Sequence, residues 1–232
     1  MRSIFLAVVL AVATISSAFG ADLRNSVKDV TVTSTATPNP FAGLYGGVTL
    51  GGQITDFNIS DGHDDILSGI AAEGLVYGGH IGYNFALGEI VAGPYAELAW
   101  SNVSVQLLGE DVLKMDRYAQ VGGMIGARTS ATSLISAHVG YEWQDWTLGN
   151  NKFGLKETDL DATAWVFGLG FDTMVTANIS LGLVVDYVLF NSAEIQNVKL
   201  DDYLEGSDAL RAKLRMTYHT GNALPSLDSV KF

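Results

Sequence analysis

The chain has 232 residues, no cysteine, 26 glycines, 4 prolines, and 25 Asp and Glu against 13 Lys and Arg, for a net charge of −12. The absence of cysteine excludes disulfide frameworks, thiolate metal sites and thiol nucleophiles together. A composition that is 48% hydrophobic and 16% charged is too apolar for a disordered chain, and its acidic balance lacks the basic stripe that nucleic acid requires.

Arg2 is followed by an apolar run from Ile4 to Ile15 and then by Ser16-Ser17-Ala18-Phe19-Gly20. A positive start, an apolar stretch and small residues at Ala18 and Gly20 predict a secretory signal peptide over 1–20, cleaved after Gly20. The run is too short to cross a hydrocarbon core of about 30 Å as a helix. Removing it leaves 12 basic and 25 acidic residues, a mature charge of −13.

From residue 41 onward the apolar residues recur with period two. Leu44, Gly46, Val48 and Leu50 interleave with Tyr45, Gly47, Thr49 and Gly51. Leu75, Tyr77, Ile81, Tyr83 and Phe85 interleave with Gly78, His80, Gly82 and Asn84. The pattern returns around Leu98, Val121, Val139, Phe167 and Leu183, and ends on Leu210, Ala212, Leu214, Met216 and Tyr218. One such segment could be chance; eight in series are strands. Three joints are tight: 86–89, 129–133 and 175–178. Four are long, roughly 56–73, 101–117, 145–161 and 191–208, and the two kinds alternate along the chain. The predicted fold is therefore all-β: an eight-stranded antiparallel up-and-down transmembrane β-barrel with short periplasmic turns and four long extracellular loops. In that frame residues 21–40, with Pro38 and Pro40, form a flexible periplasmic lead-in, 41–220 the barrel and 221–232 a C-terminal tail.

The solvent follows from the two faces. A soluble barrel would hydrate its outer face with Lys and Glu at many positions. Here the apolar row carries no charge on any strand, while the other row is mostly Gly, Ser, Thr, Asn and His. Lys or Arg on the lipid side at mid-bilayer costs about 2–4 kcal/mol, so hydrocarbon imposes this exclusion. Aromatics add a second sign: Trp100, Trp143 and Trp165 lie toward the long-loop ends of their strands, and Phe85, Phe171 and Tyr218 toward the short-turn ends. Two such belts are expected of an aromatic girdle at two membrane interfaces. The localisation expected is the outer membrane of a Gram-negative cell, in contact with its lipid and lipopolysaccharide.

Eight strands leave an interior that side chains can fill. The inward row places Glu97, Glu142, Asp172 and Asp186 against Arg128, Arg211, Lys213 and Arg215. If the last hairpin pairs symmetrically, Asp186 faces Lys213, with Arg211 and Arg215 diagonal to it. The bland reading is a lumen plug of ion pairs; the sharper one is an ion-selecting constriction. His80 and His138 face inward without a ligand spacing, and Ser136, His138 and Glu142 share one strand but point away from lipid. No catalytic, cofactor or metal pattern emerges. The four long joints hold 17 Asp and Glu against 5 Lys and Arg, densest at Asp61-Gly62-His63-Asp64-Asp65. They make an acidic outer rim able to share divalent cations with a phosphorylated lipid surface.

Phe41-Ala42-Gly43-Leu44-Tyr45-Gly46-Gly47 and Gly78-Gly79-His80-Ile81-Gly82-Tyr83-Asn84-Phe85 resemble the opacity-type, porin-like small outer-membrane proteins of alphaproteobacteria, which have the eight-stranded plan of the OmpA transmembrane domain. The resemblance covers residues 41 to 220 and implies a surface protein serving envelope integrity and contact with host or other surfaces. A narrow porin-like channel for small solutes or ions is the alternative. This chain departs from the family's inward arginines at Gly122 and Met124, and fourteen residues follow Tyr218, the last of them Phe232. Either Tyr218 or Phe232 is the aromatic that the barrel-assembly machinery would read.

Overall fold

The structure, a computed structural model, describes residues 39–60, 65–107, 110–149, 158–195, 198–199 and 207–221. The predicted signal peptide, the predicted lead-in up to residue 38, Asp61 to Asp64 and the tail with Phe232 lie outside the described residues. Among the described residues ten strands follow in order: β1 (Gly43–Ser60), β2 (Asp65–Leu87), β3 (Ile90–Ser101), β4 (Ser104–Leu107), β5 (Glu110–Arg128), β6 (Ser133–Leu148), β7 (Thr158–Met174), β8 (Ile179–Ile195), β9 (Val198–Lys199) and β10 (Asp208–His219).

Hydrogen bonding runs β1-β10-β8-β7-β6-β5-β3-β2, and β2 pairs with β1, so eight strands close a ring. The closing seam holds its register from Tyr45↔His219 to Asp56↔Asp208. Closure satisfies every strand from both sides, which hydrocarbon requires because it offers no hydrogen-bond partner. The short β4 and β9 pair at the loop end, β4 with β2 and β5, and β9 with β8. The three tight turns fall where the spacing predicts, and Gly88, at φ 67, supplies the left-handed step in the first.

The long joints are more ordered than their sequence suggests. β1 continues to Ser60 and β2 begins at Asp65, while β5 begins at Glu110 and β8 extends to Ile195. Strands of 16 to 23 residues exceed the 9–11 or so needed to cross a bilayer. Past the aromatic belt the outer face is no longer apolar, as at Arg117 and Asp145, so hydrophobic alternation stops while backbone pairing goes on.

The row Val48, Ile81, Leu98 and Leu183 faces outward, exposed by 55%, 56%, 44% and 48%, whereas Asp186, Glu142 and Arg211 are wholly buried. This inverts a soluble protein, with charge inside and leucine outside, and makes hydrocarbon the outer solvent. Trp100, Trp143, Trp165, Phe85, Phe171 and Tyr218 all lie on this outer face. Tyr77 and Tyr141 join the loop-end belt: Tyr77 stacks on Trp100 at 6.5 Å, and Tyr141 meets Trp143 and Trp165 edge-on at 5.0 and 5.3 Å. The outer face becomes charged next to this belt, where Arg117, the cross-strand neighbour of Trp100, pairs with Asp145.

The interior differs from the small polar filling expected of the inward row. Its loop-end half is an apolar core of Val76, Val103, Met115, Tyr118, Trp146 and Ala162, flanked by a smaller cluster of Ala164, Val166, Val188 and Ala209. A lumen closed to water rewards apolar packing as any protein core does. Inward alternation alone reports which way a side chain points; whether water reaches it depends on barrel width.

Candidate functional site in the barrel lumen

β10 contributes three consecutive inward cations, and the rest of the barrel supplies their partners. Arg211 donates from both terminal nitrogens to Glu142 on β6, at 2.8 and 3.0 Å, and from Nε to Gln53 Oε1 on β1 at 2.8 Å. Its guanidinium lies 3.9 Å above the Tyr118 ring centre on β5. Glu142 also accepts from Gln144 Nε2 at 2.7 Å, and Gln144 accepts from Trp146 Nε1 at 2.8 Å, which ties the charged layer to the apolar core above it.

Lys213 crosses the lumen to Glu97 on β3, meeting both carboxylate oxygens at 2.8 Å, and reaches Asp186 at 2.9 Å. Tyr118 donates to the same Glu97 at 2.6 Å. Arg215 donates from Nε to Asp172 on β7 at 2.7 Å and pairs again through its terminal nitrogen. The structure thus brings together Asp186, Arg211, Lys213, Arg215, Glu97 and Glu142, and gives both glutamates the partners that sequence alone left unnamed.

Two details differ from the arrangement that the sequence predicts. Asp186 faces Arg211, not Lys213, in the β8–β10 ladder. The chain leaving β8 first folds back through β9, with Glu194 opposite Lys199, so its return is not centred on the joint. Lys213 still reaches Asp186 diagonally, while the Arg211–Asp186 approach is 4.0 Å. Arg128, counted among the inward bases, turns to Glu89 in the first tight turn at 2.6 and 2.8 Å. Four lumen acids therefore face three fixed cations, and His138, 3.0 Å from Asp186 Oδ1, is the fourth basic group beside them.

Inward glycines make room for these long side chains in a narrow tube. A Cβ at Gly168 would lie 2.2 Å from His138 Cε1 and 2.5 Å from Asp186 Oδ1. Gly168→Ala is therefore expected to destabilise the barrel by about 1–3 kcal/mol, the usual cost of overpacking. Urea titration in vesicles, read by the gel-mobility shift between unheated and heated samples, checks this. Gly123→Ala, which meets open space on the outer face, serves as the neutral control.

Two further inward histidines are each engaged through one ring nitrogen. His80 meets Thr217 at 3.0 Å, and His219 meets Ser180 at 3.0 Å. His138 is bound to Asp186 and Glu142 to Arg211, so two members of the Ser136, His138 and Glu142 row belong to the ion network. Among the described residues no group of three or more His, Cys, Asp or Glu is placed to hold a metal ion. Toward the turn end lie two small cavities of about 30 and about 20 Å³, both lined by Tyr45, Met124 and Arg215.

Residues 30–210 match the family model described as the outer membrane protein beta-barrel domain. No curated protein matches the chain. Among solved structures the chain is similar to the Neisserial surface protein A, at 12% identity and a TM-score of 0.47, over 76% of this chain and 97% of that one. It is also similar to Ail, the attachment invasion locus protein of Yersinia pestis, at 15% identity and a TM-score of 0.41, over 76% and 98%. An outer membrane channel from Pseudomonas putida F1 matches at 12% identity and a TM-score of 0.35, over 82% and 99%. Ail is also known in complex with the heparin analogue sucrose octasulfate. The family model spans most of the chain, and a closed barrel with an apolar exterior and an ion-paired lumen is what residence in the outer membrane demands: the protein belongs to the outer-membrane β-barrel family.

Proposed function

We propose that this outer-membrane barrel has a structural and surface-interaction role, without catalysis, and is not a conduit. One observation carries the reading. The lumen is crossed by Lys213–Glu97 and Arg211–Glu142 pairs and, toward the loop end, filled by Met115, Tyr118 and Trp146. Ions or solutes would have to break buried pairs, each break leaving an uncompensated charge, and then cross an apolar plug. Planar-bilayer recordings of the purified protein are expected to show no steady single-channel openings. Steady openings would favour the narrow porin-like channel instead.

Contact with other surfaces falls to the loop end, where strands rise past the aromatic belt. Its charge argues for the class of ligand. With 17 Asp and Glu against 5 Lys and Arg in the four joints, this rim suits a cationic surface, or lipopolysaccharide phosphates bridged by divalent cations, better than a sulfated polyanion. For assembly, Tyr218 near the end of β10, exposed toward lipid and paired with Gly46, supports Tyr218 as the aromatic presented to the barrel-assembly machinery.

A further inference from the structure

We propose that the turn Asn39–Ala42, with Phe41 as its head, is a stopper that seals a small hydrated vestibule in the lower lumen from the periplasm. This goes beyond the structural role proposed above and does not depend on it. Phe41 precedes the first strand, yet it is fully buried, packed on Val91, Met124 and Leu134 and edge-on to the His219 ring at 5.5 Å. A residue outside the barrel wall has turned its ring into the barrel mouth.

The turn is held by directed bonds. Asn39 Oδ1 accepts from Phe41 N at 3.1 Å, and the Asn39 carbonyl accepts from Ala42 N at 3.1 Å, which shape the turn. Two further bonds fasten it to the wall: Asn84 Nδ2 donates to the Phe41 carbonyl at 2.9 Å, and Asn39 Nδ2 donates to the Gly88 carbonyl at 3.1 Å. Gly43, at φ 88, lets the chain swing from this turn into β1.

What lies above the stopper is polar. The lower cavity, of about 20 Å³, is lined by Phe41 itself with Asn84 and His219, and the upper, of about 30 Å³, by Thr49, His80 and Ser136. Asn84 Oδ1, His219 Nδ1, Thr49 Oγ1 and His80 Nδ1 are buried and have no protein partner. Buried polar atoms need partners, and space of this size with such a lining is suited to one or two water molecules per cavity. The vestibule ends at the Lys213–Glu97 pair, beyond which the apolar core excludes water. The barrel is thus closed twice: at the loop end by its own packed wall, and at the turn end by four residues that could be displaced without unpairing a strand.

The absence of cysteine makes the test direct. In barrels folded in detergent micelles, a thiol at Ser136→Cys, in the upper cavity, is exposed to methyl methanethiosulfonate and its labelling followed by mass spectrometry. Adding Phe41→Ala is expected to speed labelling by about tenfold, the factor that follows from losing part of a buried ring's packing. Phe41→Leu should leave the rate near that of S136C alone, and Ala162→Cys, in the apolar core, should stay protected in both backgrounds. Should F41A fail to give the heat-sensitive folded band, Asn39→Ala, which removes the two bonds of the Asn39 side chain but keeps the ring, should speed labelling severalfold. An unchanged S136C rate in whichever of these variants folds overturns the proposal. Equal acceleration at A162C also overturns it, since the barrel would then have loosened as a whole.

Discussion

Arg211→Met is expected to cost the folded barrel about 3–5 kcal/mol, the penalty of stranding one member of a buried ion pair. The substitution keeps most of the side chain's volume and removes its charge. Glu142 would then be left with Gln144 as its remaining donor, in a site where both partners of the present pair are fully buried. Gln53 Oε1 and the Tyr118 ring lose the guanidinium as well. The check is urea unfolding from phospholipid vesicles, compared through the midpoint at constant slope. In a double-mutant cycle, R211M together with Glu142→Met should cost well under the sum of the two single variants, because no uncompensated charge remains. Additive losses, or a loss for R211M below about 1 kcal/mol, the range of an exposed pair, would show that the network is wetter than its burial implies.

Leu214→Arg is expected to cost about 2–4 kcal/mol, the penalty for a cation on the lipid face at mid-bilayer. Leu214 is the most exposed leucine of β10, at 65%, with Leu50 and Leu183 as its cross-strand neighbours on the closing seam and on β8. On a soluble protein an exposed leucine could become arginine with almost no effect on stability. The same vesicle titration therefore tests the solvent assignment itself. A neutral result would mean that water, not hydrocarbon, surrounds the row Val48, Ile81, Leu98 and Leu183.

The strand count, the parity of each strand and the identity of the outer solvent were legible in the residues, since each is a local property repeated eight times. Val48 against Thr49, or Leu183 against Asp186, states which side is apolar without reference to any neighbour. The inward charges were legible for the same reason, except Arg128, which is drawn to Glu89 in the first tight turn. Their pairing was not: Lys213 and Glu97 are 116 residues apart, and Arg211 and Glu142 are 69 apart. Which cation meets which acid depends on shear, register and side-chain reach across a tube whose width no single strand encodes.

Three features depended on closure in the same way. The Asp186–Arg211 register required knowing that β9 folds back on β8. The apolar filling by Met115, Tyr118 and Trp146 required knowing that the lumen is too narrow for water at that level. Phe41, one apolar residue among turn-forming neighbours, became a stopper only when the ring of strands placed Val91, Met124 and Leu134 around it. Periodicity fixes direction because it is carried by consecutive residues; contact across a barrel is settled by the one geometry in which all eight strands pair at once.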